Sequence, residues 1–314
     1  MTYAYDPELA PIVGLIPTRD MTDVEGSRAW LRDMMAPLNE HVDTTGVDIV
    51  DREVATTDGP VPVRLYAPSA PASTTRPALL DIHGGGFVVG SIDMEHGFAV
   101  QVARELGAVV VAVEYRLAPE HPFPAGLDDC YGVLRWMHDD TGTLGIDRGR
   151  IAVGGQSAGG GLAAAVALLA RDRGGPPLCF QFLGIPELDH RLATTSMRTF
   201  VDTPMWYRAN AELSWRYYLG TDPGDVSAYA SPAVATDLAG LPPAYVTTME
   251  FDPLRDEGIV YALRMMEAGV TVELHTFPGT FHGSAAVPTA AVSRRAHQEL
   301  LVALRRGLRI DEAT

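Results

Sequence analysis

The sequence has few cysteines, few positive charges and no long apolar run, and each shortage excludes a class of protein. Two cysteines, Cys130 and Cys179, cannot form a disulfide framework, and both lie in apolar segments where a thiol fills space. No uninterrupted apolar stretch approaches the roughly 18 residues that a membrane span requires. The amino-terminal residues lack the basic and apolar segments of a secretory signal, so we expect a cytoplasmic protein without a membrane span.

Acidic residues outnumber basic ones, 40 Asp and Glu against 24 Lys and Arg, which gives a net charge of −16. Nucleic acid and anionic membrane surfaces would repel such a chain, so we expect no nucleic-acid partner. The H-E-x-x-H motif and paired Cys/His spacings are missing, so the sequence predicts no metal site. The 314 residues are 46% hydrophobic, and this length favours one large α/β domain with an accessory segment.

From Pro77 onward, short apolar segments alternate with helix-like segments. This alternation predicts βαβ units and therefore a mostly parallel central sheet flanked by helices. Two regions depart from it: an aromatic, helix-like stretch around Asp189–Leu219, and a helical amino terminus without strand signals. We interpret both as parts of a helical cap over the carboxyl edge of the sheet. The predicted division is residues 1–45 for the amino-terminal cap helices, 46–188 for the first part of the core, 189–222 for the cap insertion and 223–314 for the second part of the core.

The strongest local motif is Gly155–Gly159 (GQSAG), which follows an apolar strand and opens an alanine-rich helix. A nucleophilic serine on a strand-to-helix turn needs small neighbours, and the helix amino terminus directs N–H groups at the reacting centre. Such pentapeptides also recur by chance, so the alternative is a glycine-rich turn that only packs helix on strand. The P-loop lysine and the G-x-G-x-x-G spacing are absent. Ser157 is therefore the candidate nucleophile.

Three successive glycines in His83–Phe87 (HGGGF) end the predicted strand Ala78–Ile82. Glycines leave backbone N–H groups unshielded, as an oxyanion hole requires, whereas a merely flexible loop is the alternative. We expect Gly85, Gly86 and Ala158 to supply the oxyanion donors. His83 is expected to orient this loop by a hydrogen bond and not to act as the base.

A nucleophilic serine needs a base, and the base needs an orienting acid. When the serine lies on such a strand-to-helix turn of an α/β sheet, the expected chain order is serine, acid, histidine. Asp252 follows the predicted strand Tyr245–Met249, and His282 follows the predicted strand Val272–Phe277. Both positions lie at carboxyl ends of strands, so Asp252 and His282 are the candidate acid and base.

Some observations compete with this assignment. Asp252 also suits a helix N-cap, which would be a purely structural role. Asp256 and Glu257, one turn into the next helix, are expected to face solvent or the helix dipole. Glu250 lies within the strand, and His275 and His297 occupy framework positions in a strand and a helix.

Five motifs together resemble the hormone-sensitive lipase-like family of bacterial carboxylesterases. They are His83–Phe87 (HGGGF), Glu114–Ala125 (EYRLAPEHPFPA), Gly154–Gly160 (GGQSAGG), Asp252–Gly258 (DPLRDEG) and Phe281–Gly283 (FHG). The resemblance implies an α/β-hydrolase fold with a helical cap, no cofactor, hydrolysis of short- to medium-chain esters, and a possible homodimer. It also favours Asp252 as the acid. The family usually has aspartate where this chain has Gln156, which takes no chemical part.

The predicted reaction is hydrolysis of a small-molecule carboxylic ester by Ser157 through an acyl-enzyme intermediate. Phe87, Trp206 and Leu254 are the candidate walls of the substrate pocket. An amidase or peptidase could use the same residues, although groups that would hold an extended peptide are not evident. A small-molecule-binding protein without catalysis is a third hypothesis, because a fold alone never proves activity.

Overall fold

The computed structural model describes residues 3–17, 21–72, 74–222 and 224–310, which form one central sheet with helices on both faces. In chain order the strands are β1 (Val47–Thr56), β2 (Gly59–Pro68), β3 (Arg76–Ile82), β4 (Val109–Val113), β5 (Ile146–Gln156), β6 (Phe180–Gly184), β7 (Ala244–Phe251) and β8 (Val272–Phe281). Their spatial order is β1-β2-β4-β3-β5-β6-β7-β8. Strands β3 to β8 are parallel to one another, and β1 and β2 form an antiparallel hairpin at one edge. The predicted, mostly parallel sheet is confirmed.

The described residues contain ten α-helices. They are α1 (Ala10–Val13), α2 (Val24–Asn39), α3 (His96–Leu106), α4 (Ala125–Asp139), α5 (Thr141–Leu144), α6 (Ala158–Asp172), α7 (Thr195–Thr199), α8 (Arg208–Leu219), α9 (Arg255–Glu267) and α10 (Ala291–Gly307). Helices α3 and α10 pack on one face of the sheet, and α4, α6 and α9 pack on the other. None of the helices in the described residues is both long and apolar enough to cross a membrane.

Strand β4 shows why the central strands are continuously apolar. Val109, Val111 and Val113 point into the core beneath α4 and α6, whereas Val110 and Ala112 point into the core beneath α3 and α10. All five are buried. A parallel strand that is covered on both faces has no solvent-exposed side, so its sequence does not alternate between apolar and polar residues.

Helices α7 and α8 lie between β6 and β7, in the stretch that interrupts the alternation of strands and helices. Leu213 and Tyr217 of α8 share an apolar cluster with Leu31 of α2 and with Val88 and Val89, which follow the triple-glycine motif. The amino-terminal helix and the α8 insertion therefore meet over the loop that carries the predicted oxyanion donors.

Strand β8 is longer than the predicted Val272–Phe277, because it continues through Pro278 to Phe281. After an irregularity in the pairing, Phe281 is still aligned with Phe251 of β7. A proline is tolerated here because β8 is the edge strand of the sheet. As a result, His282 directly follows the last paired residue of the strand.

No salt bridge in the described part of the chain uses lysine, because the sequence contains none. The most buried arginine partner is Asp129 of α4, whose side chain is 2% exposed and pairs with Arg116 at 2.8 Å. Asp129 also accepts the Arg116 backbone N–H at 2.9 Å. This pair fixes the loop after β4, and the Tyr115 hydroxyl in that loop donates to the His83 carbonyl at 3.1 Å.

Removing Arg116 and removing Asp129 should lower the unfolding free energy by different amounts. Replacing Arg116 with alanine leaves a buried carboxylate without its cation, so we expect a loss of about 3 kcal/mol in unfolding free energy. Replacing Asp129 with alanine frees a guanidinium that is 35% exposed and stays hydrated, so the loss should be about 1–2 kcal/mol. Urea unfolding followed by circular dichroism measures both, and a larger loss for Asp129→Ala would contradict this account.

Candidate active site

Ser157 occupies a strained turn between β5 and α6. Its backbone angles are φ 57° and ψ −123°, which a residue with a side chain adopts only at a cost of about 1–3 kcal/mol. Hydrogen bonds maintain the strain: the Ser157 N–H donates to Gly184 at 2.8 Å, and its carbonyl accepts from Gly161 at 3.0 Å and Glu187 at 3.1 Å. Ser157 is the N-cap residue of α6, yet its side chain makes no capping hydrogen bond, and its hydroxyl lies against His282 instead.

The glycine at position 159 is required by close backbone packing. A Cβ atom there would lie 2.0 Å from the Ile82 carbonyl oxygen and 2.7 Å from that of His83. The motif therefore does pack helix on strand, as the structural alternative proposed. It does so at the point where α6 meets the end of β3, which brings Ser157 beside the triple-glycine loop.

His282 connects Ser157 to Asp252. Its Nε2 lies 3.0 Å from Ser157 Oγ, and its Nδ1 lies 2.7 Å from Asp252 Oδ2. With the Nδ1 proton donated to the carboxylate, Nε2 is left free to accept the serine proton. All three side chains are buried. The structure thus brings together the three residues that the sequence places 95 and 30 positions apart, in the geometry that a serine nucleophile needs.

The helix N-cap considered for Asp252 is wrong, because the N-cap residue of α9 is Leu254; Asp252 nevertheless bonds the backbone at the entry to that helix. Its second oxygen, Oδ1, accepts the Leu254 N–H at 2.9 Å, and its carbonyl accepts the Arg255 N–H at 3.0 Å. These bonds hold the carboxylate fixed while the chain turns into α9. One side chain serves both purposes, because each carboxylate oxygen has its own partner.

The triple-glycine loop lies against the nucleophile. A Cβ atom at Gly84 would be 2.9 Å from the Gln156 carbonyl oxygen and 3.5 Å from Ser157 Cβ. Gly85 and Gly86 have φ values of 118° and 59°, which side chains disfavour. Within the described ranges, neither glycine donates its N–H to a backbone acceptor. Ala158 is the first residue of α6, so its N–H has no hydrogen-bond acceptor within the helix.

His83 is fully enclosed and stacks on Tyr115, with the ring centroids 4.2 Å apart. Its Nδ1 lies 2.8 Å from the Gly84 carbonyl oxygen. Burial lowers the pKa of His83 to about 4, so the ring is neutral at pH 7. A neutral Nδ1–H that donates to Gly84 orients the loop, as the sequence predicted.

The three candidate pocket residues occupy different environments. The Trp206 ring lies 5.8 Å from the His282 ring, and Leu254 shares an apolar cluster with Trp206. Phe87 stacks on Tyr218 at 4.0 Å and is 2% exposed. Trp206 is therefore adjacent to the candidate base, whereas Phe87 is enclosed by the aromatic side chains of α8.

The expectation that Glu257 faces solvent or the helix dipole is wrong. Its side chain is buried, and Oε1 accepts the N–H groups of Leu188 at 2.6 Å and Asp189 at 3.2 Å. The reason is tertiary: α9 packs on the segment that follows β6, and that segment needs acceptors for its backbone. Burial raises the pKa of Glu257 well above its ordinary value.

Sequence reasoning missed a second buried acid, Glu187. It lies in the same segment, and its Oε1 is 2.9 Å from Ser214 Oγ. The available signal was an acidic residue directly after Pro186, at the carboxyl end of an apolar strand. Among the residues whose structure is described, no group of His, Cys, Asp or Glu side chains could hold a metal ion.

Comparisons with known proteins agree with this architecture. The family described as alpha/beta hydrolase fold matches residues 79–286. Esterase LipI of Mycobacterium tuberculosis is 39% identical over 312 residues, which cover 96% of this chain and 95% of LipI. Carboxylesterase NlhH of the same species is 41% identical over 320 residues and 96% of each chain. A solved structure titled "Bacterial Heroin Esterase" has 53% identity and a TM-score of 0.95, over 97% of this chain and 98% of its own. These matches confirm the predicted family resemblance and fold.

Replacing Gly159 with alanine should displace α6 from β3, because the new Cβ atom would contact two backbone carbonyls. A shift of about 1 Å at Ser157 is expected to lower kcat about 100-fold. Gly142 is the matched control, since a Cβ atom there meets nothing within 4 Å. Ester hydrolysis and thermal unfolding of both variants test the point; a Gly159→Ala enzyme with unchanged kcat and Tm would contradict it.

Proposed function

The chain belongs to the hormone-sensitive lipase-like family of α/β hydrolases and is a carboxylic ester hydrolase; we propose that Ser157, His282 and Asp252 form its catalytic triad. The observation that supports this assignment is the continuous chain of hydrogen bonds, 3.0 Å from Ser157 Oγ to His282 Nε2 and 2.7 Å from His282 Nδ1 to Asp252 Oδ2. No other serine of the described chain is hydrogen bonded to His282.

In the first half-reaction, Ser157 Oγ attacks the ester carbonyl carbon while His282 Nε2 takes the hydroxyl proton. The carbonyl oxygen becomes an oxyanion, which the N–H groups of Gly85, Gly86 and Ala158 stabilise. The bond from carbon to the alcohol oxygen then breaks. His282 returns its proton to that oxygen, so a neutral alcohol leaves and Ser157 carries the acyl group.

In the second half-reaction, His282 takes a proton from water as the water oxygen attacks the acyl carbon. The same three N–H groups stabilise the second oxyanion, and the bond to Ser157 Oγ breaks as the imidazolium returns its proton to the serine. Asp252 stays ionised throughout. It holds the imidazole orientation and stabilises the positive charge that the ring carries in each half-reaction.

We further propose a division of the chain into core and cap. The described residues of 1–45 and 189–222 form the cap, and those of 46–188 and 223–314 form the catalytic core; residues 1, 2, 18–20, 73, 223 and 311–314 lie outside the described residues. The cluster that joins α2 and α8 over Val88 and Val89 supports a shared cap. Trp206 beside His282 supports a role for the cap in the substrate pocket; Leu254, in the same apolar cluster as Trp206, and Phe87 are the other proposed walls. A pocket enclosed in this way suits small esters with short to medium acyl chains.

A homodimer and a cytoplasmic location complete the proposal. Val260, Leu263 and Met266 are exposed apolar side chains at helical spacing on α9, which supports association of two copies. The two free, buried cysteines suit a reducing compartment.

Light scattering should give twice 33.7 kDa for the dimer, and a mass of one chain would contradict the proposed dimer.

Removing the nucleophile should abolish ester hydrolysis without unfolding the protein. We expect Ser157→Ala to lower kcat on p-nitrophenyl butyrate about 10⁶-fold and Asp252→Asn about 10⁴-fold. Asp256→Asn is the matched control for the acid, because Asp256 bonds the Ser196 N–H and not His282. Hydrolysis by Ser157→Ala at the wild-type rate, or equal losses for Asp252→Asn and Asp256→Asn, would contradict the assignment.

The same enzyme should distinguish esters from amides. We expect kcat/KM for p-nitrophenyl butyrate to exceed that for the matched butyryl p-nitroanilide by several orders of magnitude, and to fall as the acyl chain grows beyond medium length. A fluorophosphonate probe should label Ser157, which a binding protein without catalysis would not permit. Comparable rates on ester and anilide would support an amidase instead.

A further inference from the structure

A buried carboxyl group, that of Glu187, lies beside the nucleophile and has no role in the mechanism above. Glu187 follows β6, and its backbone N–H donates to the Ser157 carbonyl. The side chain is completely shielded from solvent. Its Oε1 lies 2.9 Å from Ser214 Oγ of α8, and its Oε2 has no hydrogen-bond partner in the described part of the chain.

Ser214 is shared between two oxygens. Its Oγ lies 2.9 Å from Glu187 Oε1 and 2.9 Å from the carbonyl oxygen of Gly86. A serine hydroxyl has one proton to donate, and a backbone carbonyl can only accept. Both contacts are full hydrogen bonds only if Ser214 donates to Gly86 and Glu187 donates to Ser214. The geometry therefore favours a protonated Glu187 carboxyl, with which both contacts are satisfied.

The surroundings of Glu187 favour the same protonation state. Burial, with a smaller contribution from the negative charge of Asp252, raises the pKa of Glu187 to about 8, against the lowering effect of the Ser214 bond. Three further titratable groups act electrostatically with it, namely Glu257 on α9, Tyr115 after β4 and Tyr218 on α8. None is a cation, and no ion pair to Glu187 occurs among the described residues.

We propose, on the basis of the ester hydrolase function above, that protonated Glu187 is a positioning residue for the oxyanion hole. It donates to Ser214 Oγ, Ser214 donates to the Gly86 carbonyl, and this relay fixes the peptide units whose N–H groups face the oxyanion. Gly86 needs such an anchor because it is a glycine with a φ of 59° and has no side chain of its own to pack.

The relay makes catalysis sensitive to high pH. Above its pKa, Glu187 loses the proton, and the charged carboxylate becomes the stronger acceptor for the Ser214 hydroxyl. Ser214 then turns away from Gly86, and the loop loses one hydrogen bond. A bond of this kind corresponds to a change of about tenfold in rate. The decrease in rate should appear in kcat and leave KM nearly unchanged, because the oxyanion forms only after Ser157 attacks the ester carbonyl.

The test is the pH dependence of kcat from pH 6 to 10 on p-nitrophenyl butyrate, with spontaneous hydrolysis subtracted. For the wild type we expect a decrease of about tenfold centred near the Glu187 pKa, followed by a plateau. Glu187→Gln should keep the neutral-pH kcat and lose the alkaline decrease, because its amide donates to Ser214 and does not ionise. Glu187→Leu and Ser214→Ala should have the lower kcat at every pH.

Glu257→Gln is the matched control, a buried acid on the neighbouring helix that contacts backbone N–H groups and not the oxyanion loop. It should keep the alkaline decrease of the wild type. Circular dichroism shows whether each variant is folded. The proposal is overturned if Glu187→Gln retains the alkaline decrease, or if its kcat is as low as that of Glu187→Leu. Absence of ester hydrolysis in the wild type would contradict the proposed function itself.

Discussion

The buried hydrogen bond between Asp252 and His282 is the interaction on which the candidate site depends. It joins the ends of β7 and β8, so the register of two strands determines where the imidazole lies. An ionised carboxylate in such a buried place is tolerable only when its oxygens are bonded, and Oδ2 and Oδ1 each have a donor. The imidazole is thereby fixed in the tautomer that can accept a proton from Ser157.

Close backbone contacts bring the other half of the site to this pair. The end of β3 touches α6 through Gly159, and the same contact sets the distance between the triple-glycine loop and Ser157. The loop in turn rests on Tyr115 and on the cluster that joins α2 to α8. A strained serine persists because its backbone is held by hydrogen bonds to Gly184, Gly161 and Glu187, which belong to rigid neighbouring elements.

The fold and the meeting of Ser157, His282 and Asp252 could be predicted because they depend on local patterns. Apolar runs such as Val109–Val113 reveal buried strands, and glycines around Ser157 reveal a tight turn. Side chains whose environment comes from distant segments could not be placed. The burial of Glu257 follows from α9 packing on residues 187–189, and the extension of β8 through Pro278 follows from its edge position. Glu187 was missed for the same reason, since its partner Ser214 belongs to another helix.

The absence of lysine has a chemical consequence for an enzyme that handles activated acyl groups. Primary amines of lysine are the protein groups that activated esters acylate most readily, and guanidinium groups resist this reaction because they stay protonated. With arginine at all 24 basic positions, no lysine side chain can be acylated by such a substrate. Aldehyde-bearing supports and succinimidyl dyes likewise find no lysine side chain to modify, whereas the 40 Asp and Glu residues offer carboxylates for covalent attachment to a surface.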